Sequence, residues 1–300
     1  MTPAAHEGPP LGIDAPARLG RTALPDGRRL AWAEWGPPEG RPVLLCPGGA
    51  TGRSLGFGTH LLADLGVRLL SVDRPGLGAS DPAPGRTLAD WADDVAALLE
   101  ARGIRRPHLV GYSQGVPFAL ACAAHGLATA VSAVSGSAEP AAPELADALA
   151  PEVRAMVAAV AHDPEGAEAT VTASASAASM WDLVTAGCGP ADRAVYRHPA
   201  FAHAFRRAIE EGFTQGPGGF ARDTVLTMGR WPFTLTDITV PVDLWYGEHD
   251  TSMFHSHHLS EPLVRALPLA HRHLVRDAGG LLLWTHAEDV LRTLLGHDEG

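Results

Sequence analysis

The chain has 300 residues, 46% of them hydrophobic and 19% charged, enough for one large α/β core or such a core with an inserted lid. Its formal net charge is −11, and all 23 basic residues are arginine, which excludes a general nucleic-acid binder because phosphate recognition needs a clustered basic excess. Three cysteines, Cys46, Cys122 and Cys188, are too few and too odd in number for a disulfide scaffold and point to a reducing compartment.

Residues 1–19 read as a flexible lead-in rich in Pro and Gly, without the basic and then apolar segments of a leader peptide. No apolar run approaches the roughly 20 residues that span a bilayer, so a cytoplasmic protein is expected. Residues 28–36 read as a strand with Leu30 and Trp32 at alternating positions. Residues 42–48, 67–76, 108–113 and 129–136 are short runs apolar throughout, the pattern of central strands in a parallel sheet covered on both faces. Between them, residues 88–103 place Leu88, Trp91, Val95, Leu98 and Leu99 on one helical stripe, with Gly103 as a stop signal. This alternation predicts a mostly parallel central sheet flanked by helices. From 137 to 233 it stops, and an Ala-rich helical pattern broken by prolines takes over. Residues 241–250 resume as a strand, 261–268 as a helix, 271–277 as a strand and 281–295 as a final amphipathic helix. The expected organisation is a sheet domain of residues 20–136 and 234–298, interrupted by a helical lid at 137–233.

Gly111-Tyr112-Ser113-Gln114-Gly115 is a G-x-S-x-G pentapeptide between a strand and a helix. In that context the serine sits on a sharp strand-to-helix turn, and the helix N-terminus beneath it favours developing negative charge. Ser113 is the candidate nucleophile; the bland alternative is a Gly-rich turn carrying a surface serine.

With this elbow, the loop PGGATG after the strand at 42–48, DRPGLGASD from Asp73, GEHD ending at Asp250 and DAGG from Asp277, the chain resembles the α/β-hydrolase family over roughly residues 20–298. It looks most like the bacterial branch of aclacinomycin-methylesterase-like and proline-iminopeptidase-like enzymes. The resemblance implies an oxyanion hole from the N–H groups of Gly49 and Gln114, with Pro47 standing where the family usually has histidine. It makes Asp250 the acid that orients the base, with Asp94 a weak competitor. The Asp73 loop is read as structural, with Asp81 pairing locally with Arg74.

The base is where this chain departs from the family. The family histidine lies just past the last strand, and alignment of the final helix puts Gly279 there. His286, seven residues on, falls inside the predicted helix and serves as base only in an alternative reading. His249, His255, His257 and His258 cluster beside Asp250, from which one reaching Ser113 is an unusual arrangement. The expectation is therefore a degenerate triad with no histidine within hydrogen-bond reach of Ser113, since serine without a base is a poor nucleophile. What remains polarises a carbonyl without hydrolysing it.

Such altered relatives imply an enzyme of bacterial specialised metabolism that closes a ring or forms a C–C or C–X bond on a small hydrophobic, polycyclic polyketide-like intermediate. The lid residues Met180, Trp181, Phe205 and Trp231 are the candidate substrate contacts. The chain lacks Lys and Asn and is rich in Ala, Gly, Pro and Arg, which fits GC-rich bacterial coding. The alternatives are an ordinary serine esterase or thioesterase using His286, and a non-catalytic small-molecule binding protein. His255-Ser256-His257-His258 lacks the cysteine or spaced carboxylate partners of a metal site, so neither metal nor cofactor is expected. The expected partner is the small hydrophobic substrate, with no nucleic acid and no membrane; a homodimer is compatible with this reading.

Overall fold

The computed structural model describes residues 10–255 and 261–298. Eight strands form one sheet: β1 (Arg18–Ala23), β2 (Arg29–Trp35), β3 (Arg41–Cys46), β4 (Val67–Val72), β5 (His108–Tyr112), β6 (Val131–Val134), β7 (Val242–Gly247) and β8 (Ala270–Val275). Their order is β1-β2-β4-β3-β5-β6-β7-β8. The two β2 pairings, to β1 and β4, are antiparallel, and all other pairings are parallel.

The apolar runs explain the layering, because alternate side chains of each strand enter opposite faces. Leu44, Leu109 and Leu244 join a core with α1 (Leu88–Ala101) and α2 (Gly115–Ala124). Val43, Leu45, Val110 and Trp245 face the other side, among residues of the C-terminal helices. Between β6 and β7 lie α3 (Pro151–His162), α4 (Pro164–Ser174), α5 (Ala177–Ala186), α6 (Pro190–Arg197), α7 (Pro199–Gly212) and α8 (Gly218–Met228), with no strand among the described residues. Four of these helices begin with proline, whose missing N–H costs nothing in a first turn. The chain closes with α9 (Glu261–Ala266), α10 (Leu282–Thr285) and α11 (Ala287–Gly296). Among the described residues, no helix is long and apolar enough to cross a membrane.

Two local expectations are corrected. The later part of the lead-in is fastened down: Leu11 and Ile13 pack on the core, and Trp35 Nε1 donates to the Asp14 carbonyl at 2.8 Å. The predicted helix at 281–295 is two helices, broken at His286 (φ −128°). The break lets Leu282, Leu283 and Trp284 of one helix and Val290, Leu291 and Leu294 of the next enter the same core.

Candidate functional site

The strand order reverses between β3 and β5, so the loops leaving their C-terminal ends diverge and open a crevice, the general site for ligands on such sheets. β5 delivers Ser113 there. Its φ of +50° places a non-glycine residue in the left-handed region, a strain of about 1–3 kcal/mol that surrounding contacts must hold. Gly115 makes the tight turn feasible, since a Cβ there would overlap the Cys46 and Pro47 carbonyls.

A histidine does stand against Ser113. His255 Nε2 lies 2.9 Å from Ser113 Oγ, and His255 Nδ1 lies 2.6 Å from Asp250 Oδ2. The expectation of no base within reach is thereby overturned. The base comes from the acid's own loop, five positions after Asp250. The loop doubles back because Ser252 N–H donates to Asp250 Oδ1 at 3.0 Å and His255 N–H to the Ser252 carbonyl at 3.3 Å. With Nδ1–H donating to the carboxylate, Nε2 is left to accept the serine proton.

Gly279 does occupy the loop after β8, and the space a side chain would fill there is taken. A Cβ on Gly279 would overlap the Asp192 carboxylate, which arrives from α6 and accepts from Gly280 N–H at 2.9 Å and Leu281 N–H at 2.8 Å. His286 has no part in the site: its Nδ1 lies 2.9 Å from Thr285 Oγ1, and it does not line the crevice. Asp94 is held by Arg28 at 2.6 and 2.8 Å, away from Ser113. His257 and His258, the remainder of the considered metal cluster, lie outside the described residues.

Gly49 and Gln114 both line the crevice, and neither backbone N–H meets an acceptor among the described residues. The Gly48 carbonyl is held from behind by Arg74 Nη2 at 2.9 Å and by Thr51 Oγ1 at 3.0 Å. Because C=O and N–H of a trans peptide point oppositely, this turns the Gly49 N–H away from Arg74 and toward the opposite side of the peptide. Arg74 is fully buried. It also donates to the Pro47 carbonyl at 2.6 Å and to Asp223 Oδ2 of α8 at 2.6 Å, and its guanidinium covers the Phe118 ring. Its expected partner Asp81 instead accepts from the Arg29 backbone at 2.9 Å, because β2 lies beside that turn.

Above Ser113 the helical insert encloses a cavity of about 530 Å³. Met156, Met180, Leu183, Phe205, Phe220 and Trp284 supply much of its wall. Of the four expected contacts, Met180 and Phe205 line it. Trp181 does not: it packs edge-on to Tyr196, with the Arg206 guanidinium 4.0 Å above its ring. Trp231 stacks on Phe233 and is buried in the core beside α2. Burial pushes the Tyr112 and Tyr196 phenols well up, and pushes Cys46 up to about 12, so none of these is a nucleophile near neutral pH. Burial also raises the Asp192 carboxyl, against the pull of its two backbone donors.

The sequence carried a signal for His255 in the histidines crowded after Asp250, but none for Asp192, whose place depends on how α6 docks.

A model of the alpha/beta hydrolase fold matches residues 41–287. A non-heme chloroperoxidase from Streptomyces lividans is 34% identical over 104 residues, 32% of this chain and 36% of that protein. The chain thus covers about a third of the length of the curated relatives it matches. Among solved structures, an esterase from Exiguobacterium antarcticum superposes with a TM-score of 0.66 at 16% identity, over 93% of this chain and 99% of that one. An enol-lactonase from Burkholderia xenovorans LB400 gives 0.66 at 19% identity, over 94% and 100%.

Proposed function

Because the chain belongs to the alpha/beta hydrolase fold family, we propose that it is a serine hydrolase of neutral carboxylic esters or lactones bearing a bulky apolar group. One observation carries this: the hydrogen-bonded line from Ser113 through His255 to Asp250 at the floor of an apolar cavity. The non-hydrolytic reading had the missing base as its premise, and His255 removes that premise. The esterase and lactonase folds among the structural neighbours support the ester class. The aromatic wall favours a large, flat group such as a polycyclic ester.

In this mechanism His255 Nε2 takes the Ser113 Oγ proton as Oγ adds to the carbonyl carbon. The carbonyl π electrons move to oxygen, where the Gly49 and Gln114 N–H groups receive the negative charge. Asp250 faces the resulting imidazolium. Collapse breaks the bond to the alkoxide, which takes the proton from Nε2 and leaves an acyl-serine. Water, giving its proton to Nε2, adds to the acyl carbon; the second collapse returns the proton to Oγ and releases the acid.

The test uses p-nitrophenyl esters and a fluorophosphonate probe on the purified chain. We expect turnover, with stoichiometric labelling of Ser113, both lost in Ser113→Ala. Absence of labelling in the parent chain, or ester turnover that survives Ser113→Ala, would overturn the reading.

A further inference from the structure

We propose that Asp192 is a positioning residue of this site, a carboxylate supplied by the helical insert that holds the Gly279-Gly280 loop against the triad and adds a second negative charge facing His255. This rests on the reading of Ser113, His255 and Asp250 as the catalytic line.

Asp192 is 6% exposed, yet among the described residues no arginine pairs with it. Its two oxygens are spent on two consecutive backbone N–H groups, Gly280 and Leu281. A buried carboxylate without a cationic partner needs a compensating arrangement, and two convergent amides with a nearby ionisable ring provide one. The loop it grips is the one touching the triad. The position of a Cβ on Gly280 is 3.0 Å from both Asp250 carboxylate oxygens and 3.0 Å from His255 Cε1. One dipeptide therefore separates Asp192 on one side from Asp250 and His255 on the other.

The titratable groups facing Asp192 are Asp250 and His255 from the loop after β7, Tyr112 at the end of β5 and Tyr196 on α6 itself. Both phenols are kept protonated by burial, so neither competes near neutral pH. Asp192 also ties the insert to the base: displacement of α6 withdraws the charge and the grip together.

Asp192→Asn keeps the size, removes the charge and leaves one oxygen to accept. We expect the acidic limb of its kcat/KM profile to move to lower pH, because one opposite charge on the far side of the Gly279-Gly280 dipeptide is gone. We expect kcat on the plateau to fall about tenfold with KM within about threefold. The ring signals of His255, assigned by difference from His255→Ala in histidine-labelled protein, should show the same displacement of their titration midpoint. That measurement needs no turnover, so it tests Asp192 even if the chain hydrolyses no ester. Should Asp192→Asn not fold, Gly279→Ala pushes a methyl group into the Asp192 carboxylate and is expected to move the ring titration in the same direction. A limb and a ring titration unchanged in a folded variant overturn the proposal, whatever happens to kcat or stability.

Discussion

A side chain on Gly280 would crowd Asp250 and His255, because the volume beyond its Cα is theirs. A methyl group there would stand 3.0 Å from both Asp250 oxygens and from His255 Cε1, so the acid or the ring must give by a few tenths of an ångström. Misplacement on that scale is felt in catalysis before it is felt in folding. Gly280→Ala is expected to lower kcat about 10- to 100-fold with KM nearly unchanged, and steady-state kinetics beside a melting curve check this. His255→Ala is expected to lose about 10⁴-fold or more in kcat, and His286→Ala to stay within about twofold; the reverse pattern would place the base at 286 after all. At this scale Ser113 and Asp250 were legible because a short motif and a strand end fix where each stands. His255 was not, because its reach depends on the turn at Ser252 and on the empty surface of Gly280, neither of which has a sequence period. Gly279 misled for a related reason. It marks where a side chain is absent without saying that the Asp192 carboxylate takes the space.

Among the elements, α8 is joined to the Pro47-Gly48-Gly49 loop through a buried ionic chain. Asp223 of α8 accepts from Arg74 and from Arg86, and Arg74 in turn holds the Pro47 and Gly48 carbonyls. The helical insert therefore helps to set the peptide that presents Gly49 N–H. Asp223→Asn removes the anion shared by two buried guanidinium groups, which costs about 3–5 kcal/mol when one partner of a buried pair is lost. Urea unfolding should register that loss, and in the folded fraction kcat should fall more than substrate affinity, because the oxyanion is fully formed only in the transition state. A stability loss under about 1 kcal/mol would mean that water or a rearranged partner takes over from Asp223. The elements themselves were largely legible, since doubly apolar runs give parallel strands and a 3.6-residue stripe gives α1. β1 was not, because it is an edge strand whose half-buried alternation in Arg18–Ala23 is too short to separate from a lead-in. The break at His286 was hidden because both helices beside it are apolar on the faces they bury.

Taken whole, the molecule is an acidic chain with an apolar cavity between the C-terminal edge of its sheet and a six-helix insert, and with Ser113, His255 and Asp250 at the bottom. The cavity lining sets Met, Leu, Phe and Trp side chains beside serine and threonine hydroxyls, so under the proposed function substrates are sorted by shape and apolar area. The presence of an insert was legible from the interrupted strand rhythm. Which of its aromatics face inward was not, because helix docking turned Trp181 toward Tyr196 and Arg206 and left Met180 and Phe205 toward the cavity. Met180 on α5 is therefore the position at which size should be read. Met180→Trp adds volume to the wall of a cavity of about 530 Å³ without touching Ser113, His255 or Asp250. For a naphthyl ester kcat/KM is expected to fall about tenfold or more, equivalent to roughly 1.4 kcal/mol of lost transition-state binding. For an acetate ester of p-nitrophenol it should change less than about threefold, since a small acyl group leaves the upper cavity empty. Equal losses for both esters would show that the indole has displaced the catalytic line and that Met180 does not sort substrates by size.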